Sequence, residues 1–213
     1  GVLQRQLLKF QPETTAEAPA PLQGAGEANW VEGRAFAQTL GPEVANVRAS
    51  QVGPDGSLYL LADVTAKTGD QVLKGERDVA LMKYDSAGKL VYTRTLGAAD
   101  TATGLALSVS ADGKVAVAGS VTGVLEGATD GPLNSGPNSN LSDSFVTLYD
   151  AEGQELWTQR RGARMEDEAS QLAFGADGTL YVAGRTRSAL PGSDPVGGWD
   201  SYVEAFKAAP DGK

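Results

Sequence analysis

The chain repeats itself, and this limits its possible folds more than any other feature. Three segments align without gaps over most of their length. The best copy runs from Asp143 through Tyr149-Asp150-Ala151-Glu152-Gly153, Trp157 and Gly162 to Asp177-Gly178 and Leu180–Gly184. A second runs from Asp78 through Tyr84-Asp85-Ser86-Ala87-Gly88, Tyr92 and Gly97 to Asp112-Gly113 and Val115–Gly119. The first lacks the opening segment but keeps Phe36, Gly41, Asp55-Gly56 and Leu58–Ala62; a fourth has only the opening, Asp200–Phe206, with Asp211-Gly212. An aromatic stands five residues before a glycine at Phe36/Gly41, Tyr92/Gly97 and Trp157/Gly162, and successive opening acids lie 65 and 57 residues apart. Recurrence at such a period marks stacked supersecondary units that bury a continuous core only together.

Each unit reads as four short β segments rich in Val, Leu and aromatic residues. Asp55-Gly56, Asp112-Gly113 and Asp177-Gly178 predict two-residue hairpins with positive φ between the third and fourth segments. Ser86–Gly88 and Ala151–Gly153 predict a slightly longer turn between the first and second. Leu58–Ala62, Val115–Gly119 and Leu180–Gly184 are nearly continuously apolar, the pattern of a strand covered on both faces. The expected fold is therefore all-β and propeller-type, with three four-stranded antiparallel blades built from copies at about 30–77, 78–142 and 143–199 and a partial copy at 200–213. Closed propellers carry about 4–8 blades, so closure stays open. Asp200–Phe206 could complete the first copy's sheet. Otherwise further chain adds blades, two chains share one ring, or three sheets pack as a triangle. Open blade edges predict self-association or a protein partner.

Composition narrows the chemistry. Among 213 residues there is no His and no Cys, which excludes a Ser-His-Asp triad, a thiolate nucleophile, a disulfide framework and a Cys-based metal site. With 18 basic against 27 acidic residues the net charge is −9, which argues against nucleic acid and anionic membrane surfaces. No apolar run approaches the roughly 18–20 residues of a membrane span, so no membrane insertion is expected. The 27 glycines fit many tight turns.

The pattern Asp-x-[Phe/Tyr]-Val…[Tyr/Phe]-Asp-x-x-Gly…Leu-Trp-Thr-x-x-x-Gly…Asp-Gly-x-Leu-Tyr-Val-Ala-Gly resembles the bacterial β-propeller repeat called SBBP over about residues 30–213. Leu190-Pro191-Gly192 and Gly197–Val203 resemble that family's link between blades. The resemblance is weaker in the first copy, where Leu61-Ala62-Asp63 replaces Ala-Gly. It implies a propeller, often on large exported or surface proteins, and no single chemistry. Residues 1–29 stand apart. Val2–Phe10 has helical spacing and is either the end of an upstream helix or a short tail, and Gln11–Asn29 reads as an Ala/Pro-rich linker. This layout is similar to that of a bacterial flagellum-associated protein. Both ends fall in mid-pattern, which suggests a piece of a longer protein, and the Cys-free composition fits an exported one.

Few residues invite a chemical reading. The acids Asp78, Asp143 and Asp200 could be catalytic or bind calcium, but their recurrence favours a structural role as acceptors of backbone N–H groups at a strand start. Phe36, Tyr92 and Trp157, one per copy, read as core. Gly123–Ser142 is eight residues longer than its counterparts and breaks the repeat. Its Glu126, Asp130, Asn134, Asn138 and Asn140 are candidates for partner contact, and Glu126, Asp130 and Asn134 for a weak calcium site, in a loop expected to join two blades. No other cofactor is implied. The expected function is a non-enzymatic interaction or structural module of an exported bacterial protein, on the cell surface or an appendage such as the flagellum. The alternative is a ligand-binding or carboxylate-based hydrolytic propeller.

Overall fold

The computed structural model describes residues 39–97, 101–122, 142–161, 166–187 and 198–207. These belong, apart from Thr39, to the second of the chain's two units, Leu40–Lys213. They form eleven strands and, among the described residues, no helix: β1 (Val44–Val52), β2 (Leu58–Val64), β3 (Asp78–Tyr84), β4 (Leu90–Leu96), β5 (Ala102–Val109), β6 (Val115–Val121), β7 (Asp143–Tyr149), β8 (Glu155–Arg161), β9 (Asp167–Phe174), β10 (Leu180–Thr186) and β11 (Asp200–Phe206). They assemble into three antiparallel sheets, β1-β2-β3-β4, β5-β6-β7-β8 and β9-β10-β11. The all-β reading and the three sheets agree with the sequence; the third has three described strands.

The sheets are out of phase with the repeats. Each combines the last two strands of one copy with the first strands of the next, because β2 pairs with β3, β6 with β7 and β10 with β11. Two expectations are thereby corrected. The segment 122–142 joins neighbouring strands of one sheet, with Val121 opposite Asp143, and does not join two blades. Likewise β11 pairs with β10 and does not complete the first copy's sheet. The true crossings between sheets follow β4 and β8.

The hairpins differ from expectation in a second way. The Asp85 N–H donates to the Lys89 carbonyl and the Gly88 N–H to the Asp85 carbonyl, each at 2.9 Å, to close one turn, and the same pair of bonds closes residues 53–57, 110–114, 150–154 and 175–179. The five turns are thus alike, although the sequence suggests two lengths. No described non-glycine residue has positive φ, so the Asp-Gly pairs do not form two-residue loops that need it at both positions. Only the glycine turns left-handed, with φ of 79° at Gly56 and 82° at Gly88. Where the turn opens with an acid, its own Oδ1 accepts two backbone N–H bonds, as at Asp85 and Asp150. Where the acid stands third, it accepts one, as at Asp55 and Asp177.

Apolar side chains fill the two gaps between sheets. Tyr59, Leu61, Val79 and Leu81 of the first sheet meet Val115, Val117, Phe145 and Tyr149 of the second. Ala116, Ala118 and Val146 on the second sheet's other face meet Ala169, Leu180 and Val182 of the third. Trp157 and Phe206 close this gap with ring centroids 5.5 Å apart. The middle sheet is covered on both faces, and β6 is almost wholly buried. β10 departs from the double coverage expected of it: Leu180 and Val182 are buried, while Tyr181 is 44% exposed.

Candidate functional site: the end that carries the long connections

All five tight turns lie at one end of the sheets. The longer connections, 65–77, 122–142 and 187–199, start and finish at the other, where the crossings between sheets also start and finish. A scaffold with short turns at one end and long, unequal segments at the other concentrates its variable surface at the second. The candidate residues Glu126, Asp130, Asn134, Asn138 and Asn140 belong to the longest of these segments, 122–142, and lie outside the described residues, as does Phe36.

One backbone bond ties adjacent sheets at this end. Ala102 N–H donates to the Arg77 carbonyl at 2.8 Å, and Asp167 N–H donates to the Ser142 carbonyl at 2.8 Å. Arg77 and Ser142 are equivalent, each preceding the opening acid of its copy. The start of the strand that opens one sheet is thus pinned to the third strand of the sheet before it.

The opening acids have separate environments. Asp78 is fully buried and accepts backbone N–H bonds from Lys74 at 2.8 Å and Gly75 at 3.3 Å. Asp143 is also fully buried, but Arg160 holds it: Nε and Nη2 both reach Oδ2 at 2.6 Å, and the Arg160 side chain is 2% exposed. Asp200 opens β11 opposite Thr186 and is half-buried. Each acid sits on a different sheet, so the three do not form one cleft.

Two further clusters at this end are not among the residues singled out from the sequence. Asp63 is fully buried; Arg48 Nε donates to its Oδ2 at 2.5 Å and Arg77 Nη1 lies 3.8 Å away. The Asp63 Oδ1 has no hydrogen-bond partner among the described residues. On the third sheet Trp199 lies under Arg185, with 4.2 Å from guanidinium carbon to ring centroid, and 5.7 Å from Arg187. The two arginines pair with Glu168 at 2.7 Å and Glu166 at 3.1 Å. Both clusters occupy positions where the copies differ: Asp63, Ser120 and Arg185 are equivalent. That mismatch is the signal by which they could have been found.

Tyr92 and Trp157 sit on the fourth strands. Tyr92 packs against Gly153 of the next sheet's turn, where the Arg94 Nε donates to the Gly153 carbonyl at 2.6 Å. Burial, then the neighbouring Tyr59, holds the Tyr92 phenol well above its usual range, and burial followed by Glu155 does the same for Tyr149. Neither forms a phenolate near neutral pH. Among the described residues, no group of three His, Cys, Asp or Glu side chains gathers to hold a metal ion, and no helix is long and apolar enough to cross a membrane. The arrangement suits surface recognition: charges are neutralised in pairs, and an arginine–tryptophan stack of the kind common at protein contacts is displayed beside them.

No protein-family model matches the chain. The chain is similar to the curated protein named Regulatory protein FlaEY, from Caulobacter vibrioides, with 52% identity over 215 residues. The match covers 97% of this chain and 22% of that protein, so the chain spans about a fifth of the relative's length.

Proposed function

We propose that this chain is a non-enzymatic interaction module of a flagellum-associated regulatory protein, working through the end of its sheets that carries the long connections. The similarity to Regulatory protein FlaEY carries this reading, since it extends over almost the whole chain. The geometry supports it: Asp78 and Asp143 are taken up by backbone N–H groups and by Arg160, and no two of the opening acids share a sheet. A carboxylate-based hydrolase needs two carboxyl groups facing one substrate. The reading includes an exported or surface location, with which a chain free of cysteine is compatible. It also includes the SBBP-type ancestry of the repeat.

The test is genetic. In C. vibrioides the segment of the relative that matches this chain is removed in frame, and the present 213 residues are put in its place. Swimming motility and flagellin levels are then scored, with immunoblots to confirm expression. The deletion is expected to disturb one or both, and the substituted segment to restore them. Normal motility and flagellin in a stably expressed deletion strain would refute the proposal.

A further inference from the structure

We infer that the open face of the third sheet is a docking surface for one further sheet of the same repeat, supplied by the stretch that follows this segment in a longer chain. Equivalent positions of the three sheets differ in exposure. Leu81, Val146 and Val203 are the fourth residues of β3, β7 and β11. Leu81 is 1% exposed and Val146 6%, because the next sheet covers them, whereas Val203 is 72% exposed. Tyr59, Ala116 and Tyr181 are the second residues of β2, β6 and β10, with exposures of 1%, 0% and 44%. The face that receives the next sheet twice within this chain is present a third time, with Tyr181 and Val203 in the places of Tyr59 and Leu81, Ser201 in the place of Ser144, and nothing upon it among the described residues.

The rest of the face keeps the same register. Tyr181 stands between Ala173 and Ala205, and Ala183 between Gln171 and Val203. Small side chains beside a tyrosine and a valine leave the relief that an aliphatic row fills elsewhere, as Val115 and Val117 do against Tyr59 and Leu81. At the sheet's end Trp199 holds the position of Arg77 and Ser142, whose carbonyls each accept a bond from the next sheet's first strand. The Trp199 carbonyl is the acceptor for the incoming strand. The matched segment is 22% of the relative's length, so the relative carries ample sequence outside it. A second copy docking by its first sheet is disfavoured. The matching aliphatic face there is partly closed: Val64 and Ala80 are exposed by only 1% and 0%, and Leu58 and Leu60, the equivalents of Val115 and Val117, are half-buried.

Cysteine labelling tests this directly, because the chain has no cysteine of its own. Val203→Cys is made in the 213-residue chain, and a cysteine is placed at the aligned position of the full-length Caulobacter relative. Maleimide reaction at that peptide is followed by mass spectrometry, with Tyr181→Cys as a second reporter. In the isolated chain both sites are expected to react nearly as fast as in urea, and in the full-length relative at least tenfold more slowly. Deleting the repeat-length stretch directly after the matched segment should restore fast labelling. Equal rates in both proteins overturn the inference. So does fast labelling restored only by deleting some other region. Protection in the isolated chain that grows with its concentration would make a second copy the occupant and equally overturn it.

Discussion

Replacing Gly119 by alanine tests how closely the first two strands of each sheet approach. Gly119 lies in β6 opposite the bulged start of β5, where the register shifts between Gly104 and Ala106. A methyl group there would overlap the Thr103 carbonyl oxygen and lie 2.9 Å from the Phe145 ring and 3.0 Å from the Thr103 carbonyl carbon. The obstructing atoms are backbone and a fully buried ring, neither of which swings aside. Overpacking of this kind costs about 1–3 kcal/mol. The loss of glycine's freedom in the unfolded chain returns roughly 0.4–1 kcal/mol. A net loss of about 1–2 kcal/mol corresponds to a fall in melting temperature of roughly 2–8 °C for a domain of this size. Calorimetry or urea unfolding monitored by tryptophan fluorescence reads it. Gly184→Ala should behave alike, since the Glu168 carbonyl obstructs it in the same way. The first sheet is the internal control: Ala62 already occupies this position, and there β1 carries an extra register shift between Val44 and Asn46. An unchanged or raised melting temperature in Gly119→Ala would refute the steric account.

Three further outcomes follow from named contacts. Leu81→Ala should destabilise the chain by about 2–5 kcal/mol, whereas Val203→Ala at the equivalent position should stay within about 0.5 kcal/mol; equal effects in urea titrations would contradict the exposures described above. Asp143→Ala should cost about 3–5 kcal/mol by leaving the Arg160 guanidinium buried without its partner, and the double replacement Asp143→Leu/Arg160→Met should recover most of it, which the midpoints of urea unfolding would show. Backbone N–H groups of Ser57 and Thr179 lower the pKa of Asp55 and Asp177, and Lys114 followed by Ser110 lowers that of Asp112, each below the ordinary value of 3.8. Because the native forms bind protons less readily than the unfolded chain, this contribution is complete above 3.8 and is lost as pH falls through the lowered native values; the Asp→Asn triple variant should show a flatter melting temperature between pH 5 and pH 2.

How far the sequence discloses the molecule depends on whether a feature recurs. The strands and turns are legible because each copy repeats the demand: Asp-Gly before an apolar run at 55–62, again at 112–119, again at 177–184. What the repeat cannot disclose is its own phase. A gapless alignment is equally consistent with sheets that begin at Asp78 or at Ala102, and only the pairing of β6 with β7 across the long segment decides. The choice follows from connection length. The crossings after β4 and β8 are short and leave one sheet for the next, while a hairpin tolerates a long insertion cheaply, because loop closure costs grow only slowly with length.

That phase also decides what the long segments can do. Had Gly123–Ser142 joined two sheets, its length would have been constrained by their packing. As a hairpin loop its two ends are fixed by the pairing of Val121 with Asp143, and its length is free to vary. The same holds for 65–77 and 187–199, so every segment free to vary in length is anchored at one end of the sheets, on a base fixed by the buried pair of Asp143 with Arg160 and by the Ala102–Arg77 and Asp167–Ser142 backbone bonds. The departures from the repeat that could be located, Asp63 with Arg48 and Trp199 with Arg185, lie at this end too. Copies that agree at the turns and disagree at the opposite end are what a repeated scaffold with its variable surface at one end requires. The chemistry peculiar to this chain therefore lies where its copies differ.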